Sequence, residues 1–546
     1  MQADVLPLHE DPDVHARRWL LLGTMCLSLV LVVMSVSALN VAAPRLQQEL
    51  GTSASELHWI IDSYALVFAG LLLTAGALGD RFGRKGALLG GLAVFAVGLV
   101  VAGLGDNAGQ VITGRAIMGV GSAFVMPATL SLITAVFPPE ERGRAIAVWA
   151  GFAGAGAAIG PVVAGALLES FWWGSAVLVN LPVVAIAALA VARLAPRSRD
   201  THGTPLDIVG SVLALLGMVT LLYGIIESAE RGWTDGMVLG AFAAAALLIA
   251  GFLAWEGRTD HPMLPLELFR DRRFSVASMV ITMTFFAMFG FFFLSSLYLQ
   301  YVLGYSPLEA GLAGLPMAGA MILVAPRSAA LTDRYGGPAV MVGGFMLMAL
   351  ALGLFTQVTT GTPYPVAAVG FVLLGSGLAA TAAPATGMLM ASVPLDKAGV
   401  GSAVNDTTRE FGGALGIAVL GTLVGSAYRS SFDPGASGVS ADAAADARES
   451  IGAAWHIAPG LQGGEALLVE AQQAFVDAFR LTNGIALGVA VAAGALVWAT
   501  RRSGGDGAPV EVGEPAVEID LRPADVVEVA VRPADAVVAE PAFEPG

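Results

Sequence analysis

The sequence predicts an all-α polytopic membrane protein with fourteen transmembrane helices, and three observations carry that prediction. Of its 546 residues, 56% are hydrophobic and only 13% charged, against about 45–50% and about 25% in soluble globular domains. Fourteen stretches reach the roughly 20 apolar residues that a helix needs to cross about 30 Å of hydrocarbon. The third observation is an internal repeat: Gly79-Asp80-Arg81-Phe82-Gly83-Arg84-Lys85 returns in degenerate form as Thr332-Asp333-Arg334-Tyr335-Gly336. The same offset of 253 residues matches Leu46 with Leu299, Gln47 with Gln300, Leu50 with Leu303, Gly51 with Gly304, Ser53 with Ser306, Glu56 with Glu309 and Leu78 with Leu331. Parallel repeats of membrane helices place a substrate site at their interface near mid-bilayer.

In chain order, Met1–Ala16 is polar, and the first apolar run is too long for a signal-peptide core and lacks a small-residue cleavage pattern, so it is expected to stay and act as the targeting element. The fourteen stretches cover about 18–40, 56–78, 86–105, 110–136, 145–168, 174–194, 207–226, 236–255, 275–300, 308–331, 338–358, 363–392, 402–428 and 481–500. Polar linkers, Ala195–Asp207 and Glu256–Arg273, flank the seventh and eighth, which read as a hydrophobic spacer. Between the last two, residues 429–480 are Ala/Gly/Asp-rich and then helical in pattern around Glu465–Arg480, which suggests an outward-facing cap or lid. The tail 503–546 repeats Arg522-Pro523-Ala524-Asp525 as Arg532-Pro533-Ala534-Asp535 in a Pro/Val/Glu-rich setting and reads as disordered.

Lys and Arg near span ends set orientation. Arg17, Arg18, Arg81, Arg84, Lys85, Arg142, Arg144, Arg193, Arg197, Arg199, Arg258, Arg270, Arg272, Arg273, Arg334, Lys397, Arg501 and Arg502 fall on one side, against Arg45, Arg231, Arg429, Arg448 and Arg480 on the other. The chain is therefore expected to be multi-pass in a cell (plasma) membrane with both termini cytoplasmic. The net charge of −15 sits mostly outside the spans, with ten acids against two arginines in 503–546 and seven against three in 429–480. It points to no nucleic-acid partner.

The single Cys26 excludes a disulfide framework and any multi-cysteine metal site. The only lysines, Lys85 and Lys397, follow Arg and Asp, so no Gly-Lys pair forms a phosphate-binding loop, and His-Glu-x-x-His and Gly-x-Ser-x-Gly are absent. An enzyme is not expected. Energy comes from an ion gradient or a partner.

In the opening turn, Gly79 and Gly83 let the chain reverse between packed helices, while Arg81, Arg84 and Lys85 anchor one face beside anionic lipid. Asp80 is free to take a helix N-terminus or an arginine, and so to act as a breakable latch, with Asp333 and Arg334 as its second copy. Leu78–Lys85 resembles the signature loop of the major facilitator superfamily, and fourteen spans are similar to its drug:proton antiporter branch. The likeness covers about residues 18–502. It includes Arg115-Ala116-Ile117-Met118-Gly119-Val120-Gly121, where the family often has Gln at Met118, and Gly156-Ala157-Ala158-Ile159-Gly160-Pro161 with Gly165, which in the family marks antiporters. Asn40-Val41-Ala42-Ala43-Pro44, Tyr298-Leu299-Gln300, Leu303-Gly304-Tyr305-Ser306-Pro307 and Gly412-Gly413-Ala414-Leu415-Gly416 are also similar.

The resemblance implies the major facilitator fold with two extra central helices. A cytoplasmic N-terminus (1–17) precedes a six-helix bundle (18–194), linkers and a two-helix insert (195–274), a second six-helix bundle (275–502) with an extracytoplasmic loop (429–480), and the acidic tail (503–546). In the family the first span usually carries an Asp five residues before the position of Asn40. Here that position is Ser35, so coupling is expected to rest on Asp62, Glu410 or both.

Ionisable residues inside a span are functional candidates by default. Asp62 lies about six residues, roughly 9 Å, inside its span, three residues after Trp59, within reach of Arg115 in the fourth span, and opposite Leu315 in the repeat. A buried carboxylate is disfavoured bare and holds a proton or a cation, which is antiport chemistry; a structural hydrogen bond or ion pair with Arg115 is the alternative. In span 13, Asp406, Arg409 and Glu410 cluster, and Arg409 neutralises only one acid, leaving Glu410 as the deeper carrier and Asp406 nearer the surface.

Phe285, Phe289, Phe292 and Trp59 offer a repackable substrate surface, with packed core as the plainer alternative. The expected function is export of amphipathic, often cationic drugs or other small molecules in exchange for protons by alternating access, in a monomer that uses the proton gradient and no bound cofactor or metal. A dedicated exporter of one metabolite, antibiotic or lipid, or a non-transporting membrane sensor, are the alternatives.

Overall fold

The computed structural model describes residues 8, 10–52, 54–196, 207–259, 262, 264–433 and 439–503. Among them, fourteen helices are long and apolar enough to cross a membrane: Pro12–Leu39 (span 1), Trp59–Phe82 (2), Arg84–Gly103 (3), Ala108–Val136 (4), Pro139–Leu168 (5), Ser175–Leu194 (6), Ile208–Ser228 (7), Gly236–Glu256 (8), Arg272–Val302 (9), Leu308–Tyr335 (10), Gly337–Phe355 (11), Tyr364–Ala391 (12), Ala398–Ser431 (13) and Gly464–Thr500 (14). Each falls on one predicted stretch. The acidic tail predicted from 503 on lies, from 504, outside the described residues.

The packing repeats as the sequence does. Span 1 packs on 5, 2 on 4 and 3 on 4, and eight spans later 9 packs on 13, 10 on 12 and 11 on 12. The contacts between halves obey the same exchange, because span 5 meets span 10 as span 13 meets span 2. Lipid supplies no hydrophobic drive between helices, so close approach of small residues carries the packing. Gly91 lies against Gly121 of span 4, and its repeat partner Gly344 against Gly377 of span 12, each so close that a Cβ would fall within 2.8 Å of the facing carbonyl.

Repeat-matched glycines also share their backbone. Gly83 and Gly336 have φ of 112° and 82°, and Gly51 and Gly304 have 64° and 72°. A side chain at these positions strains the turn, which is why these four survive the divergence of the copies.

Two expectations change. The seventh and eighth spans pair with each other, but span 7 also packs against spans 2 and 13 across the seam between halves, so the insert is part of the body and not a spacer. Its Leu222 and Ile225 join Leu66 and Ala69 of span 2 and Ala418 of span 13 in a separate apolar cluster. The last helix begins at Gly464, not 481. The predicted loop before it holds helices Ala441–Glu449 and Ile451–Ile457, pinned to the body by Tyr428 Oη donating to the Ala447 carbonyl at 2.9 Å and by Tyr301 against Trp455.

Candidate functional site

The end of the molecule that carries Gly79–Lys85, here the basic end, is held by one carboxylate. Asp80, 5% exposed, accepts from Arg84 Nε at 2.9 Å on one oxygen and from the backbone N–H groups of Gly399 and Val400 at 2.7 and 3.2 Å on the other. It therefore caps the N-terminus of span 13 in the opposite half, where helix N–H groups lack intrahelical partners and favour a negative charge. Arg84 completes the clasp by donating to the Leu395 carbonyl at 2.7 Å. The helix N-terminus and the arginine, offered as alternatives by the sequence, are both taken.

One turn residue departs from expectation. Arg84 is buried, not beside lipid, and Lys85 Nζ donates at 2.7 Å to the carbonyls of Ala192 and Ala195 where span 6 ends. Arg81 lies over the Phe82 ring. Among the described residues the second copy forms no latch: Asp333 and Arg334 are exposed, and Arg334 lies over Tyr335. The physical reason is plain, since the position matching Arg84 is Gly337 and no guanidinium stands one turn on.

Deeper in span 13, Arg409 Nη1 reaches Asp406 Oδ1 at 3.5 Å. Asp406, expected near the surface, is 1% exposed. Its Oδ1 also accepts from Asn405 Nδ2 at 3.1 Å, and Asn405 Oδ1 accepts from Thr386 at 2.9 Å, while Oδ2 has no partner. Glu410 is half-buried and makes no hydrogen bond or ion pair with any described residue. Arg409 thus neutralises Asp406 and leaves Glu410 uncommitted. An unmet buried carboxylate oxygen costs about 1–3 kcal/mol and is retained where function needs it.

The arginine's other neighbours come from two further helices. Its guanidinium lies 4.6 Å from the Phe285 ring of span 9 and 5.7 Å from the Trp149 ring of span 5. Phe285 in turn meets Phe289 at 6.1 Å, and Phe292 is half-buried against the core. Of the predicted aromatic surface, Phe285 therefore joins the charged cluster directly and Phe289 joins it through Phe285.

Asp62 and Arg115 do not pair. Arg115, 1% exposed, donates to the carbonyls of Ile60 and Ile61 at 3.1 and 3.4 Å and lies over the Tyr64 ring at 4.5 Å. Tyr64 Oη meets Ser122 at 2.8 Å. Asp62 makes no hydrogen bond or ion pair with any described residue, and the charges within its electrostatic reach are Arg115 and Glu227. Glu227 belongs to the insert, as does Tyr223, which stacks on Trp59 with centroids 6.2 Å apart. Trp59 thus faces span 7, not the seam between spans 5 and 10.

The span 5 glycines divide their work. Gly156 and Gly160 abut span 1, where a Cβ on Gly160 would lie 2.7 Å from the Met34 carbonyl. Pro161 and Gly165 meet Gly311 and Leu308 at the start of span 10, in the other half. Ser35, in place of the family's acid, is buried and bonds its hydroxyl to the Val32 carbonyl.

Sequence reasoning missed Trp149, Asn405, Tyr223 and Glu227. Trp149 sits ten residues inside the helix that starts at Pro139, whereas the predicted fifth span began at 145 and put it four residues in, at the interfacial depth where Trp collects, so the sequence carried no signal for it. Glu227 escaped because the predicted seventh span stopped at 226, one residue short.

A molecule built as two parallel helical halves, with uncommitted carboxylates on the helices that meet between them, is by class a polytopic membrane transporter. Comparison with known proteins narrows this. Residues 25–417 match the model of the Major Facilitator Superfamily. The chain is 35% identical over 484 residues to the multidrug efflux pump LfrA of Mycolicibacterium smegmatis, covering 88% of this chain and 96% of that protein. It is 33% identical over 429 residues to the tetracenomycin C resistance and export protein of Streptomyces glaucescens, covering 77% and 80%. Among solved structures it is similar to the human organic anion transporter MFSD10 (TM-score 0.56, 16% identity, 88% and 100% covered) and to the proton:xylose symporter XylE (0.57, 13%, 89% and 96%), a likeness of fold alone. The chain belongs to the Major Facilitator Superfamily, and it is a multi-pass membrane transporter, not an enzyme.

Proposed function

We propose that this protein exports amphipathic, aromatic and often cationic small molecules, drugs and antibiotics among them, in exchange for protons. It works as a monomer in the plasma membrane with both termini cytoplasmic, which makes the basic end the inner face, and the proton gradient alone supplies the energy. The observation that carries the reading is the span 13 cluster, where Arg409 pairs with Asp406 and leaves Glu410 without a partner among the described residues, beside an aromatic wall. A carboxylate so placed holds a proton or a substrate cation but not both. Cargo from the inner side displaces the proton, and a proton from the more acidic outer side displaces the cargo. The likeness to the efflux pump LfrA and to the tetracenomycin C resistance and export protein supports export.

The test is uptake of a fluorescent aromatic cation into proteoliposomes or everted vesicles with an acidic interior. Collapse of the pH gradient is expected to abolish accumulation. Glu410→Gln and Asp62→Asn are each expected to lower coupled uptake at least tenfold while leaving the folded yield unchanged. Uptake indifferent to the gradient, or normal coupling in both variants, refutes the reading.

A further inference from the structure

Among the described residues, the guanidinium of Arg409 is the only charged group that lies within 6 Å of aromatic rings from both halves. Trp149 lies ten residues into span 5, Phe285 thirteen into span 9 and Arg409 eleven into span 13, and all three helices start at the basic end. At 1.5 Å per residue these rings and the guanidinium share one depth, about 15–20 Å in. The walls are a Trp ring and a Phe ring, and the nearby acids are Asp406 and Glu410. Aromatic faces and a carboxylate are what recognise an organic cation.

The hold on Arg409 is loose. Its contact with Asp406 is a single 3.5 Å bond with no bidentate fork, and its side chain keeps 12% exposure while Asp406 keeps 1%. Around it stand buried polar atoms with no partner among the described residues: Asp406 Oδ2 beside it and Trp149 Nε1 on the ring it lies over. Both residues are 1% exposed. A group placed only to neutralise Asp406 would bring two donors to the two oxygens. The arginine instead sits as a guest would.

We propose that Arg409 is a tethered occupant of the cargo slot, held against Trp149 and Phe285 where a planar aromatic monocation would lie, and that cargo binds by displacing it. The inference rests on the proposed export function, and it adds the shape and charge class of the preferred cargo. Because the resident is planar, the slot accepts thin delocalised cations more readily than tetrahedral ammoniums. Because Arg409 stays tethered to span 13, the charge that an incoming cation adds is offset by the proton that Glu410 gives up. Because the rings belong to opposite halves, the occupied slot also bridges them.

Calorimetric titration of the full chain in nanodiscs tests this, with N-methylacridinium as the cation and acridine, at a pH where it is the uncharged base, as its neutral counterpart. Arg409→Ala empties the slot and is expected to tighten N-methylacridinium about tenfold or more and acridine about threefold. Arg409→Lys keeps a charge beside Asp406, and so the fold, but gives up the flat face; both ligands are expected to tighten about twofold to threefold. If Arg409→Ala strengthens the cation and leaves acridine unchanged, the arginine acts through charge alone and the slot assignment is overturned. Weaker or unaltered cation binding in both variants, beside measurable binding to the wild type, overturns it as well. No cation binding by the wild type removes the export reading and this inference together, whereas gradient-driven uptake with no gain in either variant removes only the inference.

Discussion

Asp80 has two carboxylate oxygens and spends them on different halves of the molecule, one on Arg84 of its own turn and one on the start of span 13. A helix N-cap is worth about 0.5–2 kcal/mol, and removing the carboxylate from a buried ion pair costs up to about 3–5 kcal/mol, less here because Arg84 keeps its bond to the Leu395 carbonyl. Asp80→Ala therefore removes the main polar tie that closes the basic end. In a Cys26→Ser background, a cysteine at Ala403, which is 0% exposed, is expected to react with a permeant maleimide at least tenfold faster when Asp80 is replaced. Asp333→Ala is expected to change nothing, because Asp333 is exposed and Gly337 stands where an arginine is required. Equal acceleration by both substitutions would show that the two copies act alike and that the contacts of Asp80 do not matter.

At the level of elements, span 7 brings to span 2 what span 2 lacks. Trp59 and Asp62 lie three residues apart on one helix, Tyr223 and Glu227 four apart on its antiparallel neighbour, and the rings stack. Glu227 is itself held by Arg231 at 2.5 Å. Ring stacking of this kind contributes about 0.5–1.5 kcal/mol beyond burial, enough to set the rotamer of Trp59 and so the wall beside Asp62. Tyr223→Ala is expected to raise the KM for a cationic substrate about threefold to tenfold with kcat nearly unaltered. A tether would show no such split, and an unchanged KM would return the insert to that role.

The existence of spans 7 and 8 was legible from run length, because hydropathy is a local property. Their role was not, because the partner of Tyr223 lies more than 160 residues away in the chain. Distance along the chain explains the other gaps as well. Asp80 and Gly399 are 319 residues apart, so the sequence showed that an acid was available and not what it would hold. Arg409 has Asp406 three residues before it and Glu410 next to it, and only the packed helix shows that Asp406 is the one it reaches.

For the whole molecule, the exchange of contacts between halves, 5 with 10 as 2 with 13, makes two seams that alternate as the faces open. The 2–13 seam is tight at the basic end: a Cβ on Gly76 would lie 2.8 Å from that of Ala403. Disulfides need Cβ atoms about 3.5–4.5 Å apart, and a Cβ on Gly76 would also lie 2.6 Å from the Gly399 carbonyl, so spans 2 and 13 must part slightly to admit the pair. Gly76→Cys with Ala403→Cys, again without Cys26, is expected to lose transport on oxidation and regain it on reduction. Undiminished transport in the oxidised protein would mean that this end never has to part.

The insert has a further consequence at the junction of the repeats. Each helix added there reverses the direction in which everything after it enters the bilayer. One extra helix would turn the second half upside down, its Asp333 end facing away from Asp80 and the pseudo-two-fold lost. A hairpin is the smallest addition that leaves the second half upright. Growth by helical pairs is thus the one route by which a duplicated transporter enlarges its middle while both copies still read the same way across the membrane.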